Sequence, residues 1–269
     1  MVNAQVKLHL NFDTNIGGTY LSKQNNSAPL KVVRPFRLKR GVLVQILNVG
    51  PGIMGEDNYD INLSVGPGAH VVVVNQSATK LHRMPEGQKA SQRLRIRVAE
   101  DARLELYPGL TIPYPGSDFR QEIEVEIHPQ ADFATLELWA MGRISRGETF
   151  QFRRLSNRLK VATITGNGTA TPLYSDGLEL TNESGSKMGL TDGYPYLAAG
   201  ICYSNFPWSN KIVEGEDSTL IAGTVNPKLS YTRGIARDGV VLKNTVQTWI
   251  NDWREASGLE SISFERFGS

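Results

Sequence analysis

Three segments of this chain repeat one pattern: an alternating strand, a three-residue corner, an alanine and a second apolar strand. The alanines are Ala69, Ala102 and Ala131, so the copies lie 33 and then 29 residues apart. A repeat of about 30 residues predicts stacked β-layers, in which each layer covers the hydrophobic face of its neighbour. A sandwich of hairpins also repeats strand, turn and strand, so that arrangement stays open. The copies are INLSVGPGAHVVV at 61–73, LRIRVAEDARLEL at 94–106 and IEVEIHPQADFAT at 123–135.

The remaining sequence favours the same fold class, a mainly β protein built as a layered, β-helix-like stack of short strands with few helices. The 26 glycines and 13 prolines are scattered along the 269 residues, which is typical of many short strands and turns. The four consecutive valines at 71–74 indicate a strand that is buried on both faces. Because the composition shows no break, a single domain over 1–269 is predicted.

One helix is predicted at the C-terminal end of the domain, over about 239–257. Asp238 can cap its start and Gly258 can end it. The face with two tryptophans is expected to pack on the β body, and a partner surface is the alternative. Apolar residues recur at helical spacing at Leu242, Val246, Trp249, Ile250 and Trp253.

The charge and the cysteine count restrict the classes of partner. Because 29 basic and 27 acidic residues give a formal charge of +2, the sequence predicts no nucleic-acid partner. The only cysteine is Cys202, which excludes an intrachain disulfide and indicates a reducing compartment. No signal segment and no membrane-spanning apolar run is visible, so a cytoplasmic protein without a membrane partner is expected.

The most distinctive stretch runs from a glycine-rich loop, GPGIMGED at 50–57, to the polar segment NQSATK at 75–80. Gly52 and Gly55 allow backbone conformations that are closed to residues with a Cβ, so acids can be held on a sharp loop. The candidate polar residues in or near this stretch are Asp57, Asp60, Ser77, Thr79 and Lys80.

Familiar catalytic motifs are absent from the sequence. It lacks a phosphate-binding Gly-Lys-Ser/Thr, a His-Glu-x-x-His helix and a Gly-x-Ser-x-Gly elbow. No close-spaced His or Cys ligands predict a tight metal site, although a weak path of carboxylates, hydroxyls and water remains open. Paired turn carboxylates also remain open, and with them a β-helix carbohydrate-active enzyme. The acids beside glycines or turns are Glu56, Asp57, Asp60, Glu148 and Asp176.

The ordered motifs resemble one family, the urease accessory proteins called UreD, or UreH in some bacteria. GPGIMGED is similar to that family's GG-x-x-x-GD element, and NQSATKLHR is similar to its segment ending in Thr-Lys. YPGLTIPYPG at 107–116, GRISRGETF at 142–150 and GIARDG before the tryptophan helix follow in the family's order. The resemblance covers about 17–257, nearly the whole chain.

This resemblance implies a β-rich, non-catalytic chaperone of urease maturation. Its expected partners are apo-urease, UreF and, through UreF, the GTPase UreG. Nickel is implied only in transit, with no cofactor permanently bound. The residues that the resemblance implies for the nickel path are Asp57, Glu148 and Ser77. The turn acids Asp60 and Asp176 are further candidates for the same path. Those implied for loop structure or partner contact are Gly52, Gly55, Lys80, Thr79 and Arg143, with Lys80 expected to pair with a carboxylate.

Two departures from the family pattern concern the acid loop and the segment after it. Pro51 replaces a glycine, and Glu56 is inserted between Gly55 and Asp57. Val-Val-Asn-Gln at 73–76 stands where the family often has two threonines. These differences affect the expected metal path more than the family resemblance.

Overall fold

The computed structural model describes residues 5–165, 168–185, 187 and 189–263. Strands dominate it, and one α-helix lies near the C-terminus, so the predicted mainly β class is confirmed. The strands in chain order are β1 (Gln5–Asn15), β2 (Gly18–Asn26), β3 (Leu30–Val32), β4 (Phe36–Arg37), β5 (Val42–Asn48), β6 (Asn58–Val65), β7 (His70–Asn75), β8 (Thr79–Leu81), β9 (Ala90–Val98), β10 (Arg103–Tyr107), β11 (Leu110–Pro113), β12 (Asp118–Ile127), β13 (Asp132–Ala140), β14 (Gly142–Arg143), β15 (Glu148–Thr149), β16 (Arg154–Ile164), β17 (Ala170–Thr181), β18 (Tyr196–Tyr203), β19 (Lys211–Gly215), β20 (Ser218–Asn226) and β21 (Leu229–Ala236).

Two sheets face each other. Sheet 1 has seven strands in the order β17-β16-β12-β9-β6-β1-β2. Sheet 2 has twelve strands, nine of which follow the order β19-β20-β21-β18-β13-β10-β7-β5-β3. The short strands β4, β8 and β11 join sheet 2 beside this path, while β14 and β15 form a separate ribbon joined by a 3-10 turn at Ile144–Arg146.

The three sequence repeats are three coils of this stack. In each coil a strand of sheet 1 turns through the corner into a strand of sheet 2, giving β6–β7, β9–β10 and β12–β13. Successive coils pair in parallel and in register, so Leu94 lies beside both Ile61 and Ile123. The layered prediction is therefore confirmed, and a hairpin arrangement is excluded for these strands because hairpins pair antiparallel.

The repeated alanines lie where adjacent corners are closest. Ala69, Ala102 and Ala131 are all buried. The amide of Arg103 donates to the Ala69 carbonyl at 2.8 Å, and the amide of Asp132 donates to the Ala102 carbonyl at 2.9 Å. These backbone hydrogen bonds hold adjacent corners close together, and the small methyl group of alanine fits between them.

The valine run is buried on both faces, as predicted. Val71 and Val73 pack into the core between the two sheets, and Val72 and Val74 pack into a second core on the other side of sheet 2. Sheet 2 therefore has a hydrophobic core on each face, and both faces must be covered by other elements, as is usual for sheets of parallel strands.

Helix α1 (Gly239–Ala256) covers the second face of sheet 2, and its prediction is confirmed. The Asp238 carboxylate accepts hydrogen bonds from the amides of Val240 and Val241, and Gly258 follows the end of the helix with φ of 71°. In the part of the chain that the structure describes, no helix is long and apolar enough to cross a membrane. The division of the chain into a single domain stays a prediction.

Candidate functional site

A row of polar side chains crosses the interior between the two sheets. Because the parallel strands of sheet 1 are in register, paired positions of adjacent strands form rungs across the sheet. One rung carries four polar side chains: Tyr59, Gln92, Gln121 and Asn157. Each of these residues is on the side of its strand that faces the other sheet, and that side otherwise carries apolar members of the core. Their strands thus place an amide-rich row where alternation predicts hydrophobic side chains. We call these four residues together with Glu137 the polar row.

Glu137 faces this rung from strand β13 of sheet 2. Asn157 Nδ2 donates to Glu137 Oε2 at 2.8 Å, and Gln121 Nε2 donates to the other carboxylate oxygen. Gln121 also donates to Asn157 Oδ1 at 2.9 Å and accepts from Gln92 Nε2 at 2.7 Å. The amides therefore form a continuous chain that ends on one buried carboxylate.

Burial changes the proton affinity of this carboxylate. Removal from water raises the pKa of Glu137 to about 7, and the nearby charge of Asp176 adds to the rise. Hydrogen bonds from Asn157 and Gln121 oppose it because they stabilise the ionised form. Glu137 therefore exchanges its proton near neutral pH, unlike an exposed glutamate.

The polar row joins two cavities. A cavity of about 270 Å³ is lined by Glu137, Asn157 and Asp176. A narrower cleft of about 60 Å³ is lined by Gln92 together with Ser77 and Thr79. Because Gln92 and Glu137 are linked through Gln121, the row reaches from one cavity to the other.

Two predicted path residues line the cavities at the two ends of this row, and a third lies near Tyr59. Ser77 lines the narrower cleft, while Asp176 lines the larger cavity and pairs there with Arg233 Nη2. Asp57 is near Tyr59: burial and then the Asp57 charge raise the pKa of the Tyr59 phenol to about 12. Asp57 also accepts a hydrogen bond from the Met54 amide at 2.8 Å, which closes its own turn.

Asp60 and Glu148 lie elsewhere. Asp60 is on the outer face of sheet 1, where Arg95 Nη1 donates to its carboxylate at 2.9 Å. Glu148 belongs to the β14–β15 ribbon and binds the Arg143 guanidinium with both oxygens, including Nη2 to Oε1 at 2.7 Å. Neither acid lines the two cavities of the polar row.

Arg143 connects the ribbon to the neighbouring coil. Its guanidinium lies over the Tyr114 ring, 4.4 Å from the ring centroid. The Tyr114 ring in turn meets the His82 ring edge-on at 5.1 Å. His82 Nε2 is 2.9 Å from the Pro51 carbonyl oxygen, so these contacts link the ribbon to the glycine-rich loop.

The two predicted loop glycines allow close approach of neighbouring chain. Gly52 has φ of 143°, and a Cβ there would collide with the Lys80 carbonyl oxygen. A Cβ at Gly55 would collide with Gln88 Oε1. Lys80 contributes its backbone to this contact, but the ion pairs among the described residues do not include its exposed side chain. Thr79 accepts a hydrogen bond from Asn75 Nδ2 at 3.4 Å.

The geometry gives no support to carbohydrate hydrolysis by turn carboxylates. Asp60, Asp176 and Glu148 are each bound to a different arginine, and Asp57 closes its own turn. Within the described ranges, no three His, Cys, Asp or Glu side chains are grouped closely enough to hold a metal ion.

None of the five residues of the polar row was among the site residues predicted from the sequence. Gln92 and Gln121 occupy equivalent positions, two residues before Leu94 and Ile123 in the aligned repeats, so a polar rung was visible there. Glu137 could not be predicted because both faces of β13 are buried, so its sequence does not alternate between polar and apolar residues. Without that alternation, the sequence does not show which side chains of β13 face the other sheet.

The geometry defines a class of protein: a β-solenoid of two sheets, with a polar row in its interior and one helix on its second sheet. The particular family follows from comparison with known proteins. The family model described as UreD urease accessory protein matches residues 4–266. This chain belongs to the UreD family of urease accessory proteins.

Named relatives agree over most of the chain. Urease accessory protein UreD 1 of Synechococcus sp. strain JA-3-3Ab is 36% identical over 265 residues, covering 98% of this chain and 96% of the relative. Urease accessory protein UreD of Deinococcus radiodurans is 42% identical over 246 residues, covering 90% and 87%. Urease accessory protein UreH of Helicobacter pylori strain G27 is 29% identical over 171 residues, or 62% of each chain. All are named as accessory proteins rather than as enzymes.

Proposed function

We propose that this protein is a urease maturation chaperone, a scaffold without catalysis of its own. It holds apo-urease together with UreF and UreG and assists the GTP-dependent delivery of nickel to the urease metallocentre. Family membership supports the accessory role. The observation that supports the nickel part is the polar row, which joins two cavities through the interior. Nickel is the cargo, and no cofactor stays bound.

The chemistry of the row suits an ion in transit. Carboxylate and amide oxygens accept Ni²⁺, while the absence of thiolate or clustered histidine along the row keeps binding moderate. An ion must bind strongly enough to enter and weakly enough to leave. Glu137 supplies the negative charge inside, and Asp176 supplies one at the larger cavity.

Exposed apolar side chains support the binding of protein partners. The exposed fraction is 61% for Phe206, 65% for Ile212 and 67% for Val240, although these side chains are large and hydrophobic. Leu190 is 53% exposed and lines the cavity that contains Asp176. A partner that covers Leu190 therefore also closes the larger cavity to solvent, as transfer between proteins requires.

The first experiment tests the chaperone role. Deleting the gene in cells that make urease should leave urease of normal abundance with little nickel and little activity. Re-expression of the wild-type chain should restore both, and UreF and UreG should co-purify with it. Unchanged urease activity in the deletion strain contradicts the proposed function.

The second experiment tests the passage. Glu137→Gln keeps the size of the side chain but removes its charge, so nickel per urease should fall about tenfold while UreF still co-purifies. Glu86→Gln is the matched control, because Glu86 is exposed and lines neither of the two cavities. Full nickel loading with Glu137→Gln, or equal losses in both variants, contradicts a passage along the polar row. The cytoplasmic location stays a prediction from the sequence.

A further inference from the structure

The outer face of sheet 1 carries charged side chains in rows, because its parallel strands are in register. One rung contains Arg93, Glu122 and Arg158, and the next contains Arg95, Glu124 and Lys160. On each of these rungs one acid of β12 lies between two bases. Asp60 of β6 extends the first rung beside Arg93, and it pairs with Arg95. On these two rungs of β6, β9, β12 and β16, four bases therefore share three acids.

The ion pairs leave Arg158 without an acid. Glu122 accepts from Arg93 Nη2 at 3.1 Å and from Lys160 Nζ at 3.3 Å, so both carboxylate oxygens are used. Arg158 is the direct neighbour of Glu122 on β16, yet it joins no ion pair in the described part of the chain. Its guanidinium is exposed.

Arg120 is also left without an acid, for a different reason. Its neighbours on the rung are Ser91 of β9 and Ser156 of β16, which carry no charge. On the adjoining rung, Asp118 is already paired with Arg154 at 3.2 Å. Arg120 is exposed and joins no ion pair among residues 5–165 or the later described ranges.

These two arginines line one concave region of about 590 Å³. Once the paired charges cancel, the lining retains Lys89, Arg120 and Arg158 against the single acid Glu179. Ser91 and Ser156 are the neighbours of Arg120 on its rung, and both belong to the lining of this region. The region therefore offers donors and an excess of positive charge on a face that is otherwise neutralised.

We propose that this region is a docking site for an extended acidic segment of a partner protein. Arg120 and Arg158 lie on adjacent strands and two residues apart, roughly 8 Å between Cα atoms from ordinary sheet spacings. Alternate residues of an extended chain are about 7 Å apart and point the same way, so carboxylates at positions i and i+2 reach both guanidiniums. Each arginine can bind a carboxylate through two parallel hydrogen bonds, which gives a segment with carboxylates a specific fit to this region.

A nucleic acid is a poorer match for the same face. Glu122, Glu124 and Glu126 form a continuous acidic line along β12, beside the two arginines. These acids are paired with Arg93, Arg95 and Arg97, so the unpaired bases are confined to one region. A short segment with two carboxylates matches that region, whereas a long phosphate backbone that crossed the sheet would mostly meet charges that are already paired. The proposal does not depend on the nickel passage, because Arg120 and Arg158 are exposed on the outer face of sheet 1, whereas Glu137 is buried between the sheets.

The test uses the purified full chain and a fluorescent peptide of alternating glutamate and serine, measured by anisotropy in 50 mM and 300 mM salt. The wild-type chain should bind, and its affinity should fall about tenfold at the higher salt. Arg120→Ser with Arg158→Ser should weaken binding at least tenfold in low salt, with an unchanged melting temperature. Serine is chosen because it is the residue on either side of Arg120 in its rung.

The matched control removes two exposed charges elsewhere, with Lys23→Ser and Arg146→Ser, and should change the affinity less than twofold. Absence of wild-type binding in low salt, or equal losses in both double variants, overturns the proposal. Displacement of the peptide by millimolar inorganic phosphate also overturns it in favour of a small-anion site. Tighter binding of single-stranded oligothymidine, lost in the same double variant, overturns it in favour of nucleic acid.

Discussion

Glu137 shows how one buried residue links stability to the proposed passage. A carboxylate taken from water is costly unless hydrogen bonds and protonation compensate. Two amide donors from sheet 1 reduce the cost for Glu137, but its pKa still rises to about 7. Ionisation of Glu137 at neutral pH therefore lowers the free energy of unfolding. Such shifted pKa values are common at functional sites.

Replacing Glu137 with glutamine should flatten the dependence of stability on pH. Between the ordinary glutamate pKa of 4.5 and the folded value of about 7, the unfolded chain releases this proton while the folded chain keeps it. Stability is therefore highest below 4.5, falls as the pH rises to about 7, and is then constant for this group. From pH 5 to 8 the wild type should lose about 2–3 kcal/mol relative to Glu137→Gln. Urea unfolding at both pH values measures this, and equal pH slopes contradict it.

Gly52→Ala should be strongly destabilising. Its φ of 143° disfavours any side chain, and the new Cβ would collide with the Lys80 carbonyl and approach the His82 ring to 2.9 Å. The expected loss is roughly 2–4 kcal/mol from backbone strain and overpacking together. Gly87→Ala is the control: its φ is 78°, but no atom lies within 4 Å of its Cβ, so about 1 kcal/mol is expected. Similar melting temperatures for the two variants would contradict the close approach at Gly52.

At the scale of elements, helix α1 is fixed to sheet 2 by a buried ion pair as well as by apolar packing. Arg254 Nη1 lies 2.5 Å from Glu105 Oε1, and both side chains are 2% exposed. Arg103 also contacts Glu105 at 3.1 Å and stacks on Trp253 at 4.3 Å. Because a helix can slide on an apolar face, these directional contacts determine where α1 lies along the strands.

The Arg254–Glu105 pair should show strong coupling in a double-mutant cycle. Arg254→Leu should cost about 3–5 kcal/mol, because Glu105 keeps a buried charge that Arg103 compensates only in part. The double variant with Glu105→Leu should be more stable than the sum of the two single losses predicts, by about 1–3 kcal/mol. Urea unfolding of the four proteins measures this coupling. Additive losses would indicate that the two side chains act independently.

At the scale of the molecule, sheet 2 depends on cover from both sides. Sheet 1 covers one face and α1 covers the other, where Leu43, Val72 and Val74 would otherwise meet water. Parallel strands buried on both faces rarely tolerate such exposure. The C-terminal helix is therefore a structural part of the stack rather than an appendage to it.

A chain that ends at Asp238 should be recovered mainly in the insoluble fraction, because removal of α1 exposes a large apolar face. A chain that ends at Ser263 keeps the helix and Ile262, which packs in the second core, and should stay soluble. Soluble yield and size-exclusion profiles compare the two. A soluble, monodisperse chain ending at Asp238 would show that sheet 2 is stable without its helix.

The local features of this protein were determined by the sequence itself. The alanine repeat predicted the stacked coils because equivalent residues must lie side by side in a parallel stack. The valine run predicted a doubly buried strand, and the spacing of Leu242, Val246 and Trp249 predicted the helix. These patterns are periodic and lie within short stretches of the chain, so they can be recognised in the amino-acid sequence alone.

Only the tertiary structure decided which polar residues meet. Ser77 and Asp176 were predicted one at a time, and the tertiary structure placed them in the two cavities that the polar row joins, while Asp60 and Glu148 were placed elsewhere. Glu137 and Asn157 come from different sheets and are 20 residues apart in the chain. Contacts between sheets depend on how the coils close in three dimensions, and no local period of the sequence carries that information.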